Sequence, residues 1–358
     1  MERFAFSYLQ DWKNKANRKP LVIRGARQVG KTELVRIFAK REFKNLVEIN
    51  FDETPGKASQ FQDEDAQNIL RFIEIDANSH IEPGKTLLFL DEIQAVPAII
   101  AKLRYFYEKL PGVHVICAGS LLDFALSKPE FSVPVGRIEF LQLGPMGFEE
   151  FLLASGHEKL RDYLCSFALS QSIPGAIHEQ LLGRLREYSI VGGLPGLLKA
   201  YLESGRNPQT LIQEQQSILQ TYYLDFGKYK KRLDVASLQA VFKKIPTHIG
   251  KTIKYSALDP ERKSIHVKEN LDLLEKARLI YRVFHSDANG IPLGSEVNER
   301  YFKLVFLDVG LLTTLLGIRE TDLLLEKDIV LIHSGAVAEQ LVGQALLGGG
   351  NPYAEPSL

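Results

Sequence analysis

Apolar positions follow two patterns along this chain. In the first 150 residues, short continuous apolar runs alternate with stretches whose apolar residues recur every three to four positions. Residues 20–24 read as a short strand that ends in a glycine-bearing turn. Residues 32–43 then carry Leu34, Val35, Ile37, Phe38 and Ala39 at helical spacing. Residues 46–51 predict a second strand. Residues 86–90 predict a third, continuously apolar and therefore expected to be buried on both faces. A helix over 99–110 is stopped by Pro111-Gly112, a fourth strand follows over 113–118, and a fifth over 137–143. Strands alternating with helices imply an α/β fold with a parallel sheet covered on both faces.

Beyond residue 148 the pattern is helical to residue 204, broken by the turn signal Gly192-Gly193-Leu194-Pro195. Another helix is predicted over 210–223. From residue 233 come helix candidates over 235–249, 256–258 and 264–276. Strand-like runs follow over 279–284 and 303–307, with the turn Asp287-Ala288-Asn289-Gly290 between them. Helix, helix, helix, hairpin is the outline of a winged helix-turn-helix. Residues 349–358 read as a loop, and the chain is expected to stop before an element is complete. Length also favours several domains: 358 residues exceed what one core usually holds. The expected division is 1–155, 156–224, 225–318 and 319–358.

The turn after the first strand carries the first chemistry. Gly25-Ala26-Arg27-Gln28-Val29-Gly30-Lys31-Thr32 fits G-x-x-x-x-G-K-[ST] between a predicted strand and a predicted helix. Glycines let consecutive N–H groups turn inward toward phosphate oxygens, and the helix N-terminus adds positive potential. Lys31 supplies a point charge to the β- and γ-phosphates, and Thr32 a hydroxyl ligand for Mg²⁺. The third strand ends in Asp91-Glu92. Asp91 is expected to help hold Mg²⁺, and Glu92 to polarise a water for attack on the γ-phosphate. A strand meeting solvent at an acidic helix start is the alternative for this pair. Ser120, after the fourth strand, can sense the γ-phosphate or cap the helix that follows. Arg137, before the fifth strand, can reach a γ-phosphate in its own or a neighbouring subunit, or form a surface salt bridge.

Composition narrows the setting. No apolar stretch approaches the length of a membrane span, and no secretory leader is visible at Met1-Glu2-Arg3-Phe4. Cys117 and Cys165 have neither metal nor redox spacing, so a reduced, cytoplasmic chain is expected. The eight histidines are scattered and predict no zinc site. Lys+Arg and Asp+Glu balance at 44 each, yet residues 225–285 hold 14 Lys and Arg against 7 Asp and Glu. Lys228, Lys230, Lys231, Arg232, Arg262, Lys263 and Lys268 there could meet duplex DNA, or pack on the rest of the protein or on a partner. Tyr222, Tyr223, Phe226 and Tyr229 read as an interdomain aromatic contact.

Taken in order, the motifs resemble a known group. They are residues 24–32, Leu90-Asp91-Glu92-Ile93-Gln94, Ala118-Gly119-Ser120-Leu121-Leu122, residues 132–137, residues 143–151, Gly192-Gly193-Leu194-Pro195 and residues 303–312. The chain looks like the prokaryotic AAA+-type P-loop ATPases with a C-terminal domain of unknown function, related to the archaeal and STAND-like clade. The resemblance implies ATP and Mg²⁺ as ligands, a helical lid after the core, a winged helix, and a closing nuclease-like domain. It assigns Ser120 to a sensor position and Arg137 to a Gly-Arg element, and matches Gly193 and Pro195 to a turn that brings the lid near the nucleotide. Only Glu339 of the nuclease-type acidic positions is present, so no nuclease activity is expected. The expected function is Mg²⁺-dependent ATP hydrolysis driving a conformational change in the winged helix, on or near DNA. The alternative is a slow ATP-dependent signalling switch with a protein partner. A homo-oligomer is compatible with either.

Overall fold

In the computed structural model, five strands form one parallel sheet in the order β2-β3-β4-β1-β5. They are β1 (Leu21–Arg24), β2 (Asn45–Asn50), β3 (Thr86–Asp91), β4 (His114–Gly119) and β5 (Glu139–Gln142). The structure describes residues 1–61, 65–126, 134, 136–168, 170–229, 234–286, 296–318 and 335–355. Its residues fall into two compact units, 3–143 with 351–355, and 144–350 with 1–2.

In the first unit, β3 and β4 are buried at every position, as their unbroken apolar runs require. The helices are α1 (Ala5–Asn14), α2 (Lys31–Glu42), α3 (Ala66–Ala77), α4 (Ala98–Lys109) and the short α5 (Leu122–Leu126). α3 and α4 turn Ile69, Ile73, Ile99, Leu103 and Phe106 into a core shared with Val22, Ile49, Leu88 and Leu90 of the sheet. α2 buries Leu34, Val35 and Phe38. α1 buries Leu9 and Trp12 completely, and the Trp12 indole donates to the Lys19 carbonyl at 2.7 Å. The sequence reading contained neither α1 nor α3.

Two registers set the working edge of the sheet. Arg24 pairs with Gly119, and Leu90 with Cys117. The turns that follow β1, β3 and β4 therefore open on one edge, where ligands of open parallel sheets bind.

The second unit is helical: α6 (Phe148–Ala154), α7 (Glu158–Ser166), α8 (Gly175–Val191), α9 (Pro195–Glu203), α10 (Pro208–Asp225), α11 (Val235–Lys244), α12 (Tyr255–Leu258) and α13 (Ser264–Lys276). An antiparallel hairpin of β6 (Ile280–Ser286) and β7 (Val297–Phe306) follows, and Ile253 bridges Phe302 of β7. α14 (Val309–Leu315) and α15 (Ala336–Gly349) complete it. β7 begins six residues before its expected start, because its first half is polar and exposed. The expected turn over 287–290 lies outside the described residues. Phe226 and Tyr222 are buried, and Phe226 meets Phe242, which meets Phe306, with ring centroids 5.3 and 5.5 Å apart. The aromatic cluster is thus core of one unit.

Three of the quoted motifs meet in a buried polar knot. Asp308 caps α14 through the N–H groups of Gly310 and Leu311, and also accepts the Gly193 N–H at 2.6 Å. A Cβ on Gly192 would lie 2.1 Å from Asp308 Oδ1, and one on Gly193 2.1 Å from the Met146 carbonyl. Tyr188 donates to that same carbonyl and accepts from Gln344 of α15. Among the described residues no helix is long and apolar enough to cross a membrane.

Candidate active site

The loop after β1 is built by backbone constraint. Gly25 has no room for a side chain, since a Cβ would lie 2.1 Å from the Leu143 carbonyl. Gln28 and Gly30 both take positive φ, +70° and +87°, and Gly30 then enters α2. Two residues before α1, the Arg3 guanidinium donates to the Val29 carbonyl at 2.9 Å and ties the start of that helix to the loop. Lys31 is only 6% exposed, and its ammonium donates to the carbonyls of Gly25 and Ala26 at 3.0 and 2.8 Å. Burial pulls its pKa down to about 8, against the opposing charges of Glu92 and Asp91.

The acidic pair sits across from this loop. Thr32 Oγ1 donates to Asp91 Oδ2 at 2.8 Å, a contact 59 residues apart in sequence. Asp91 is 2% exposed, and burial raises its pKa to about 6 despite the Thr32 bond. Glu92 adopts a left-handed conformation, φ +53°, with its N–H on Asp91 Oδ1 at 3.0 Å. Its carboxylate Oε2 accepts from Gln94 Nε2 and from Ser120 Oγ at 3.5 Å. Ser120 is thus buried beside Glu92 at the end of β4.

Arg137 is not brought to this edge. β5 is parallel to β1 and pairs Glu139 with Leu21, so Arg137 stands at the opposite end of the sheet from Gly25. There it pairs with Glu108 at the end of α4, N···O 3.1 Å, and is half exposed. The reach to this chain's own γ-phosphate that the sequence left open does not fit that register. Residues 132, 133 and 135 of the same motif lie outside the described residues.

Two contributors escaped the sequence reading. Gln94 stood in a quoted motif without a role. Arg24, just before Gly25, lies over the Phe140 ring at 4.8 Å and pairs with Asp123 and Glu355. The apolar neighbours of both gave no sign of a polar partner.

Comparison with known proteins agrees with the geometry. Residues 17–152 match the family described as AAA domain, and residues 182–322 match a domain of unknown function (DUF8612). No curated protein matches the chain by sequence. Among solved structures, a Walker-type ATPase of Pyrococcus abyssi is similar at 16% identity and TM-score 0.53, over 88% of this chain and 95% of that one. The RuvB Holliday junction branch migration motor of Thermotoga maritima aligns at 17% identity and TM-score 0.35, over 78% and 87%. AMPPCP-bound DnaA from Aquifex aeolicus aligns at 14% and 0.34, over 77% and 86%. The sheet order, the glycine-built loop and the family match agree on one conclusion: residues 17–152 match the AAA domain family and form the P-loop core of an ATPase.

Proposed function

We propose that the protein is a cytoplasmic, Mg²⁺-dependent ATPase whose hydrolysis drives a conformational change in a winged-helix region. The observation that carries the site is the 2.8 Å bond between Thr32 and Asp91 beneath a buried Lys31. One hydroxyl and one carboxylate oxygen are the hard donors Mg²⁺ takes, and a carboxylate buried at the cost of a raised pKa is ready for a cation. Among the described residues no cluster of three or more His, Cys, Asp or Glu is placed to hold a metal, so phosphates and waters would complete the shell. Bound there, the ion supplies charge stabilisation for the phosphates.

In this reading residues 25–32 cradle the phosphates, and Lys31 leaves its loop carbonyls for the β- and γ-oxygens. Glu92 takes a proton from water as the water oxygen bonds to the γ-phosphorus. The bond to the bridging oxygen breaks, and its electron pair leaves on ADP. Ser120 senses the γ-phosphate beside Glu92. Arg137, if it meets a γ-phosphate, meets one bound by another subunit of a homo-oligomer. Lys31→Ala should lose nucleotide binding, whereas Glu92→Gln should bind ATP and hydrolyse it slowly. Both are read by calorimetry and phosphate release, and a Glu92→Gln protein with parental turnover would refute the base assignment.

The order α11, Ile253, α12, α13, β6, β7 supports the winged helix, within a division into a core to 155, a lid to 224, the winged helix to 318 and a following segment. One observation favours the switch with a protein partner over action on DNA. Lys228, Lys244, Arg262, Lys268 and Arg282 pair with Asp225, Asp259, Asp234, Glu299 and Asp272 respectively. A phosphate would have to displace these carboxylates to reach the five cations, although four of the acids are already counted in the local balance, while Lys230, Lys231 and Arg232 lie outside the described residues. Turnover with and without duplex DNA at low salt separates the readings: DNA stimulation supports the first, slow insensitive turnover the second.

A further inference from the structure

Glu92 is restrained by more than its backbone. Gln94, on the single turn Ile93–Ala95, directs its carboxamide nitrogen back at Glu92 Oε2. Ser120 addresses the same oxygen, so Glu92 Oε1 carries no bond among the described residues. The amide orientation is fixed by chemistry, because the flipped carboxamide would set an oxygen against a carboxylate. The other end of the carboxamide is built in as well. Gln94 Oε1 is buried without a partner and occupies the space over Gly119, where a Cβ would lie 2.3 Å from it. β4 thus ends in a residue with no side chain at the point where Gln94 must pass.

We infer that Gln94 is a positioning residue for hydrolysis: it holds one oxygen of Glu92 and leaves the other aimed at the attacking water. The inference rests on the reading of Glu92 as base. A glutamate with three rotatable side-chain bonds samples many orientations, and a displacement of about 1 Å at a reacting group can cost roughly 100-fold in rate. Holding Oε2 removes that freedom without neutralising the carboxylate, because an amide donor carries no net charge.

The test is steady-state ATP hydrolysis with Gln94→Ala, Gln94→Glu, Gly119→Ala and the double variant Glu92→Gln/Gln94→Ala. Gln94→Ala should lower kcat roughly 10- to 100-fold with KM and ATP affinity within about twofold of the parent. Gln94→Glu keeps the volume but repels Glu92, so it should turn over more slowly than Gln94→Ala; a merely space-filling role predicts the reverse order. Gly119→Ala, which displaces Gln94 without deleting it, should behave like Gln94→Ala. The double variant should match Glu92→Gln alone, since Gln94 acts through Glu92. Parental kcat in Gln94→Ala beside a slow Glu92→Gln would overturn the inference and leave the base standing. Parental kcat in Glu92→Gln would remove the base and the inference with it.

Discussion

Asp91→Asn should make the metal-free protein more stable while removing the carboxylate proposed to hold Mg²⁺. The carboxylate is buried, and its pKa of about 6 stands above the ordinary value of 3.8. That displacement is a penalty for ionising inside the fold, worth about 3 kcal/mol at about 1.4 kcal/mol per pH unit. Since the folded pKa is the higher one, the folded state binds the proton more tightly. The penalty is absent below about pH 4, grows as pH rises toward 6, and is constant above it. Asparagine fits the site. Its oxygen still accepts the Glu92 N–H, and its amide can donate to Thr32 Oγ1, which turns from donor to acceptor. The variant therefore removes a charge without orphaning a partner. Urea unfolding in a metal chelator, at several pH values from 4.5 to 7.5, measures the difference. We expect the variant to gain about 1–3 kcal/mol at pH 7.5 and the gain to shrink toward pH 4.5. A gain independent of pH, or a less stable variant at pH 7.5, would refute the argument that burial of charge is the cause. Asp308, with a pKa also about 6, titrates in the same window, but it is common to both proteins and cancels in the difference.

Other substitutions separate structure from chemistry. Gly193→Ala drives a Cβ to 2.1 Å from the Met146 carbonyl, so a loss above about 3 kcal/mol or failure to fold is expected. Gly196→Ala, three residues on in α9 with nothing within 4 Å, should instead gain up to about 1 kcal/mol; thermal melts compare the two. Trp12→Ala empties a fully buried site under α1 and should cost about 3–5 kcal/mol by urea titration. Arg137→Ala should leave the ATP affinity of a single chain unchanged by calorimetry, because the side chain lies at the far edge of the sheet.

The parts of the fold that read clearly in the sequence are those where one physical demand acts alone. β3 and β4 are buried on both faces and so wrote themselves as unbroken apolar runs. The phosphate loop needs residues without side chains at fixed places, and Gly25 meets a carbonyl where any other residue would collide. α1 buries Ala5, Leu9 and Trp12 and sets Phe6 edge-on to Phe38, and it was hidden because Phe4, Phe6 and Tyr8 flank that stripe and blur its helical period.

Roles that depend on register were harder still. Chain position set Ser120 and Arg137 on equal terms, each beside a strand. Parallel pairing then sent them to opposite edges, because one follows its strand and the other precedes it. That distinction is available from sequence once all strands are taken as parallel: residues after strands gather at the phosphate edge, and residues before strands gather at the other. The same rule explains why Gln94 could matter. It lies three residues past the end of β3, close enough to fold back on Glu92, and the neighbouring strand supplies Gly119 to make room. A polar residue just beyond a strand end, opposite a glycine at the end of the adjacent strand, is a juxtaposition that an alternating α/β sequence can be searched for before any coordinates exist.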